Sequence, residues 1–546
     1  MRKGRRGSAG VGGGALLAVA AALALLAACG GETPVEEPVG RTGTVVIARG
    51  ADVGGVNPLI QRATAVNREI ERRVLFEPLL EERVDLASGP PTFDPALAES
   101  WSFSDDRLTL TFTLREGLEW SDGAPLTAED VRWTWQAQID PHVAWAYATK
   151  KERIEDVEVV DPRTVRFHFS DTSGDQLADA NEGVVLPRHR WGARPFSEWR
   201  SDATWFLDNL ATSGPFTLVE WRPNEQLDLA RNERYHREGL PRLDRLVFRV
   251  IPDKTSQINQ LLGGEIDFVE QAPRDEVSRL ERSDRVVVDS HWSRQYDYLV
   301  WNTRHPLFAD PEIRQALTMS IDRQEIIDTL FAGYANLSVS PVLSVAWAFH
   351  RGIEPWPYDP QVARLILARK GFTAEEGAEA LAREGEALSF ALLANAGNRV
   401  LLDVATMVQE HLRRVGIDAR IETREFNTYV EQLQGGDFEA ALGAWNIDTS
   451  LDLHYAFHTD GEYNFGRYSS PELDALIDAA RATDQIDEKR RLLHEAQEIL
   501  HREQPYTFLV EPKRINARSS RLRGVRYSVL SSLDFLEEWW VETPGG

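Results

Sequence analysis

"PALAESWSFSDDRLTLTFTLREGLEWSDGAPLTAEDV", residues 95–131, carries two structural patterns in one short stretch. "RLTLTFTL" (107–114) alternates apolar with polar, so Leu108, Leu110, Phe112 and Leu114 fall on one face of a strand. Thr127 and Asp130 then form a T-x-x-D capping pattern ahead of "VRWTWQAQI", which marks a helix start. A period of two running into a capped helix points to a mixed α/β chain.

Both flanks extend the reading. "TVVIARG" (44–50) is a short β-rich run, and "VEVVDPRTVRFHF" (157–169) reads as two strands around an Asp-Pro turn. "PFTLVEWRPNEQLDLAR" (215–231) reads as a hairpin and "RLVFRVI" (245–251) as a further strand. Downstream, Asp310-Pro311 opens "EIRQALTMSIDRQEIIDTLF", Asp359-Pro360 opens "QVARLILARK", which Gly371 stops, and Ser470-Pro471 opens "ELDALIDAARA". Each pairs a capping side chain with proline at the first helical position, where its missing N–H costs nothing. "VLLDVATMVQEHLRRVGIDARIE" (400–422) is an amphipathic helix, a stop at Gly416, then a strand. The first half is richer in strand and the second in helix, with no internal repeat of fixed period.

Composition narrows the function. The chain is 42% hydrophobic and 27% charged, and its length suits two or three compact lobes. The net charge of −25 argues against nucleic acid as a partner, because phosphate binding needs a basic face. A single cysteine makes no intramolecular disulfide, iron–sulfur cluster or Cys-rich zinc site. No G-x-S-x-G, H-E-x-x-H, P-loop or dinucleotide-binding glycine pattern occurs in the body, so no catalytic residue is assigned. His454 and His458 stand four apart and would share a helix face able to bind a metal. No third ligand is specified nearby, so they are read as ordinary rim histidines, with no metal or cofactor assigned. With 16 Trp, 12 Tyr and 22 Phe, aromatic side chains cluster at 133–147, 291–304 and 443–468, as core or as the walls of a ligand cleft.

The N-terminus explains the lone thiol. "MRKGRR" is a basic region, residues 11–28 are an apolar run, and Leu26-Ala27-Ala28-Cys29 resembles a bacterial lipobox. Residues 1–28 are therefore expected to be a lipoprotein signal peptide, with Cys29 the lipid-attachment residue and the new N-terminus. "GGETPVEEPVGRTG" follows as a flexible tether, residues 29–43 with the cysteine. The body is expected to be a soluble module held at the outer face of a bacterial membrane, in a periplasm or at a cell surface.

Several stretches together resemble one known family. "VNPL" (56–59), "LFEPLL" (75–80) and the quoted 95–131 stretch, with its Ala-Glu-Ser-Trp, Leu-Arg-x-Gly and Asp-Gly-x-Pro-Leu-Thr-Ala-x-Asp-Val elements, follow in order. "TSGPFTLVEW" (212–221), "GEIDFV" (264–269), "WNTRHPLFADPEIRQALTMSIDRQEII" (301–327) and "FGRYSSPELDALIDAARATD" (465–484) continue it. They resemble the extracellular solute-binding proteins of family 5, the peptide/nickel-type receptors of ABC importers. The resemblance implies a two-lobed, periplasmic-binding-protein-like α/β fold of type II, with an extra β-rich subdomain and a ligand cleft between the lobes. It implies a first lobe built from 44–75, 206–290 and a return at 506–546, the extra subdomain at 76–205, and the second lobe at 291–505. It further implies a monomer that serves ABC permease subunits with cytoplasmic ATPases, takes oligo- or dipeptides, and is not an enzyme. In peptide-binding relatives an aspartate in a W-x-x-D stretch pairs with the ligand's amino group, which here selects Trp445 and Asp448. The usual Asp-Pro continuation is replaced by "TSLDL" (449–453). Trp301 and Asn302 fit a segment that borders the cleft, and Arg304 and Arg399 are candidates for a ligand carboxylate. The alternatives are the same receptor for a nickel chelate, oligosaccharide, opine or other amine, and, from another class, a secreted lipoprotein hydrolase.

Overall fold

A computed structural model describes residues 43–60, 70–202, 204–374 and 380–542. The expected signal peptide, Cys29 and nearly all of the expected tether lie outside the described residues.

The fold turns on one strand. Tyr506–Ser519 is fourteen residues long and belongs to two sheets at once. Its first part, from Tyr506 to Val510, runs antiparallel to Gln295–Trp301, and its second, from Lys513 to Ser519, antiparallel to Val286–Trp292. Those two shorter strands run end to end in one direction and thus follow the long one from one sheet into the other. At the changeover, Pro512 lacks an N–H to give to a neighbour, and Ser293 Oγ donates to the Pro512 carbonyl at 2.8 Å.

On one side lies a mixed sheet, in which Thr44–Arg49 runs parallel to both Arg245–Val250 and Phe268–Val269. The hairpin Phe216–Arg222/Gln226–Arg231 extends it, as the sequence predicts. On the other side, Ser389–Asn395 runs parallel to Asp418–Arg424 and to Ala440–Asn446, which pairs antiparallel with Gln295–Trp301. The helix Arg399–Val415 makes the parallel connection. Asn398 caps its start by accepting from the Leu401 N–H at 3.1 Å. Leu401, Val404, Ala405, Val408, Leu412 and Val415 form its buried face. Gly416 ends it at φ 93°, a left-handed conformation that costs glycine little. These are the two lobes of an α/β, two-lobed binding-protein fold.

The opening stretch folds close to its pattern. Ala98–Phe103 and Thr109–Leu114 pair in a four-stranded antiparallel sheet with Ile154–Asp161 and Thr164–Phe169. Leu110, Phe112 and Leu114 are buried, but Leu108 is 36% exposed. Leu108 belongs to the turn before the strand, where its N–H donates to Asp106 at 3.0 Å, so the buried face begins one alternation later than the sequence suggests. The Thr127 N–H donates to Asp130 at 2.8 Å at the start of helix Ala128–Ile139. The long helix expected from Pro311 is broken: Pro311–Met319 stops, and Asp322 caps a new turn by accepting from the Glu325 N–H at 2.8 Å. A mid-run aspartate can cap as well as continue a helix, and here the cap prevails.

Candidate functional site

The strand Ala440–Asn446 delivers Trp445 to one end of the second sheet. Trp445 stacks on Phe465 at 5.5 Å and, across the strand pair, on Tyr298 at 6.2 Å. Tyr298 in turn stacks on Tyr506 at 4.5 Å, and Tyr455 and Tyr463 meet the Trp445 ring edge-on at 5.4 and 5.9 Å. Gly443 makes room for this stack, since a Cβ there would lie 2.7 Å from the Tyr298 ring carbon and hydroxyl. The result is an aromatic wall with one partly exposed indole at its end.

Beyond the strand the chain turns through 447–453. Arg294, from the link between the strands Val286–Trp292 and Gln295–Trp301, donates to the Ile447 carbonyl at 3.0 Å, and the Ile447 N–H returns a bond to the Arg294 carbonyl at 2.8 Å. Asp448 Oδ1 accepts from the Ser450 N–H at 2.8 Å and from the Ser450 hydroxyl. The carboxylate is thereby oriented while staying partly exposed. Next to it, Thr449 Oγ1 donates to Glu82 at 3.0 Å. Glu82 sits on Leu80–Arg83, whose Leu80 packs into the same core as the first sheet, so this bond joins the lobes. A little further on, the Trp347 N–H donates to the carbonyl of Leu86, whose side chain packs into the same core as Tyr298 and Trp347, at 2.5 Å.

Lys150 completes the cluster. Its ammonium lies 3.9 Å from Asp179. Burial alone would lower its pKa, but Asp179 and then Asp448 outweigh that, and the pKa is raised. A carboxylate of the second lobe and a cation of the first therefore share one electrostatic environment. Tyr455 stays protonated, its pKa raised by burial and then by Asp448 and Asp452.

The sequence-predicted residues divide. Trp445 and Asp448 come together. Trp301 and Asn302 lie at the other end of the same strand pair, where Trp301 faces Ala440 while Gln295 faces Asn446. Six residues of extended strand separate those ends by about 20 Å. Trp301 is fully buried, donates Nε1–H to Thr507 Oγ1 at 3.0 Å, and packs on Phe308 and Phe390. Asn302 donates to the Gly436 and Phe438 carbonyls at 3.1 and 2.8 Å. Arg304 is exposed, and Arg399 pairs with Asp403 on the surface at 3.1 Å. Sequence reasoning missed Glu82, Lys150, Arg294 and Tyr298. Only Tyr298 and Arg294 carried a signal, inside the aromatic cluster 291–304.

The crossover strands also hold strongly perturbed groups. Burial pushes the Asp297 carboxyl up to about 7, against the Gln295 amide bond and the field of Arg274. Burial pushes Glu511 up to about 7, although the Ser344 hydroxyl and N–H donate to it. Burial and then Arg514 bring His291 down to about 4.

Comparison with known proteins fits this geometry. Residues 92–466 match the family model described as bacterial extracellular solute-binding proteins, family 5 Middle. The chain is 28% identical over 457 residues to the oligopeptide-binding protein AppA of Bacillus subtilis, covering 82% of this chain and 83% of that protein. It is 24% identical to heme-binding protein A of Haemophilus influenzae, covering 93% and 96%. The structure of Bacillus subtilis AppA in complex with a nonapeptide superposes with a TM-score of 0.75 at 27% identity, covering 92% of this chain and 99% of that one. Among the described residues no helix is long and apolar enough to cross a membrane.

Proposed function

From the premise that the chain belongs to the bacterial extracellular solute-binding proteins of family 5, we propose that it is the lipid-anchored binding component of an ABC importer and takes oligo- or dipeptides between its lobes. The observation that carries this reading is the turn 447–453, which sets Asp448 beside an aromatic wall and ties it across the lobes through Thr449 and Glu82. Asp448 receives the ligand's ammonium, and each charge offsets the other's desolvation. Trp445 and Tyr455 flank that end, while main-chain groups along the cleft give affinity without side-chain selectivity. Closure excludes water from the ligand and presents the permease with a distinct state. No step of this cycle breaks a bond, in keeping with a non-enzyme. Cys29 carries the lipid that holds the body at the membrane's outer face. A nonapeptide bound by one relative supports the ligand class.

The test is native mass spectrometry on the full chain, purified in detergent without refolding, followed by calorimetric titration with peptide pools. A ladder of peptide-mass adducts is expected, and Asp448→Lys should abolish binding of free-amine peptides. One discrete non-peptide mass, such as a porphyrin, would replace the peptide reading with a specialised receptor. Peptide binding that survives Asp448→Lys would remove the amine clamp.

A further inference from the structure

The histidine pair that the sequence left without a third ligand acquires one in the fold. His454 opens the short helix His454–Phe457 and His458 follows its last residue. Their rings lie parallel, 4.3 Å apart and inclined by 14°. Asp478, from helix Pro471–Ala482, brings a carboxylate to the same place, and donor atoms of all three residues lie within 4.8 Å of one another. His458 Nε2 is 3.7 Å from Asp478 Oδ2 and 3.9 Å from Asp474 Oδ1. We propose that His454, His458 and Asp478 form a site for one divalent transition-metal ion of borderline softness, such as zinc, cobalt or nickel.

The donor chemistry sets that class. Two imidazoles and one carboxylate suit ions of this group better than calcium or magnesium, which favour all-oxygen sets. Three protein ligands leave an open coordination position. The surroundings hold the donors in place. Asp474 accepts from the Thr459 N–H at 2.9 Å and its hydroxyl at 2.6 Å, fixing the turn after His458. Asn464 donates to the His458 carbonyl at 3.0 Å. Burial, then Arg481 and His458, lower the His454 pKa and keep its lone pair available, while Asp452 and Asp478 oppose them. The Arg481 cation is itself held by Asp452 at 3.4 Å.

Binding requires one local rearrangement. His458 Nδ1 accepts from the Asp460 N–H at 3.0 Å, so the ring proton sits on Nε2. Coordination through Nε2 moves that proton to Nδ1, and the Asp460 N–H turns away. One hydrogen bond is thereby exchanged for a metal–nitrogen bond. Because the site joins the helix carrying Tyr455 to the next helix, an ion there would stiffen one flank of the segment that also carries Asp448. The donor set itself is independent of the peptide reading.

The test is titration of the full chain, in detergent and in a Cys29→Ser background so that the only thiol cannot compete, with zinc and cobalt salts and no peptide. One ion per chain is expected, with visible d–d absorption for cobalt. His454→Gln and His458→Gln should each weaken binding by at least roughly tenfold. Asp478→Asn should weaken it as well, and its side chain, 62% exposed, bears little on folding. His350→Gln, on a histidine bonded to Glu498 elsewhere, should change nothing. Binding should fade as the pH drops below the histidine range, where protons compete for the same lone pairs against the field of Asp452, Asp474, Asp478 and Arg481. Absence of stoichiometric binding, or unchanged affinity in the His454→Gln/His458→Gln double variant, overturns the site.

Discussion

The two ends of one strand pair, Gln295–Trp301 with Ala440–Asn446, each set a tryptophan near a polar side chain but in different surroundings. At one end the side-chain donors of Trp301 and Asn302 are all taken within their own lobe. The indole N–H is taken by Thr507, and the Asn302 amide holds the 436–438 turn. At the other end Trp445 is a partly exposed ring in a stack, and Asp448 is oriented by its own turn without being buried in an ion pair. A tryptophan beside a polar residue is therefore no signature of a cleft. What separates the ends is whether the polar partners come from the same lobe or whether the other lobe approaches.

That contrast can be broken by substitution. Trp301→Ala should cost about 3–5 kcal/mol of stability through cavity formation. Trp445→Ala should leave most of the stability in place while reducing ligand affinity. Thermal melts alongside calorimetry would separate the two, and equal melting losses at both sites would erase the distinction.

The crossover strand gives the next largest effect. Asp297 titrates at about 7 in the folded chain but near 4 when unfolded, so the native state holds a proton that the unfolded state has lost. Stability from this group is therefore greatest below about pH 4 and falls as pH rises to about 7. His291 works the other way, since its folded value of about 4 lies below the unfolded one near 6.5. Asp297→Asn isolates the first effect. It should stabilise the protein by on the order of a few kcal/mol above pH 7 and by little near pH 4. Denaturation at both pH values checks this, and a gain independent of pH would show that Asp297 is not the titrating group.

Smaller effects sharpen the comparison. Asn302→Ala should cost about 1–3 kcal/mol, because two carbonyls lose a buried donor, without altering ligand selectivity. Thr449→Val removes the bond to Glu82 and should weaken ligand binding by roughly two- to tenfold, corresponding to about 0.5–1.5 kcal/mol. Its melting temperature without ligand should move least of the series. A larger loss of stability than of affinity would make the Thr449–Glu82 contact a folding element instead of a closure contact.

The expected strands at 107–114, 157–169 and 215–231, the capped helices at 128, 360 and 471 and the amphipathic helix that Gly416 ends were legible because each depends on residues within a few turns or one hairpin. Asp130 caps its own helix, Gly416 ends its own, and Leu110, Phe112 and Leu114 share one face wherever the strand packs. The break after Met319 was hidden because Asp322 fits either a helix interior or a cap. In the candidate site, Trp445 and Asp448 were legible as one short motif, whereas Glu82 and Lys150 lie hundreds of residues away and meet the 447–453 turn only when the lobes come together. Asp478 stands much nearer to His454 and His458 along the chain, but on a separate helix, so only the packing of the two helices brings the three together.

Local sequence alone determined the class of secondary structure and the positions of most elements, because periodicity, caps and turn residues act over a few neighbours, while the family was legible only through the resemblance of motifs such as 95–131. Tertiary structure decided which tryptophan is core and which is wall, and which aspartate faces the other lobe. It also gave two buried carboxyls pKa values of about 7. Those outcomes depend on desolvation and on partners far apart along the chain, quantities that exist only once the lobes have packed.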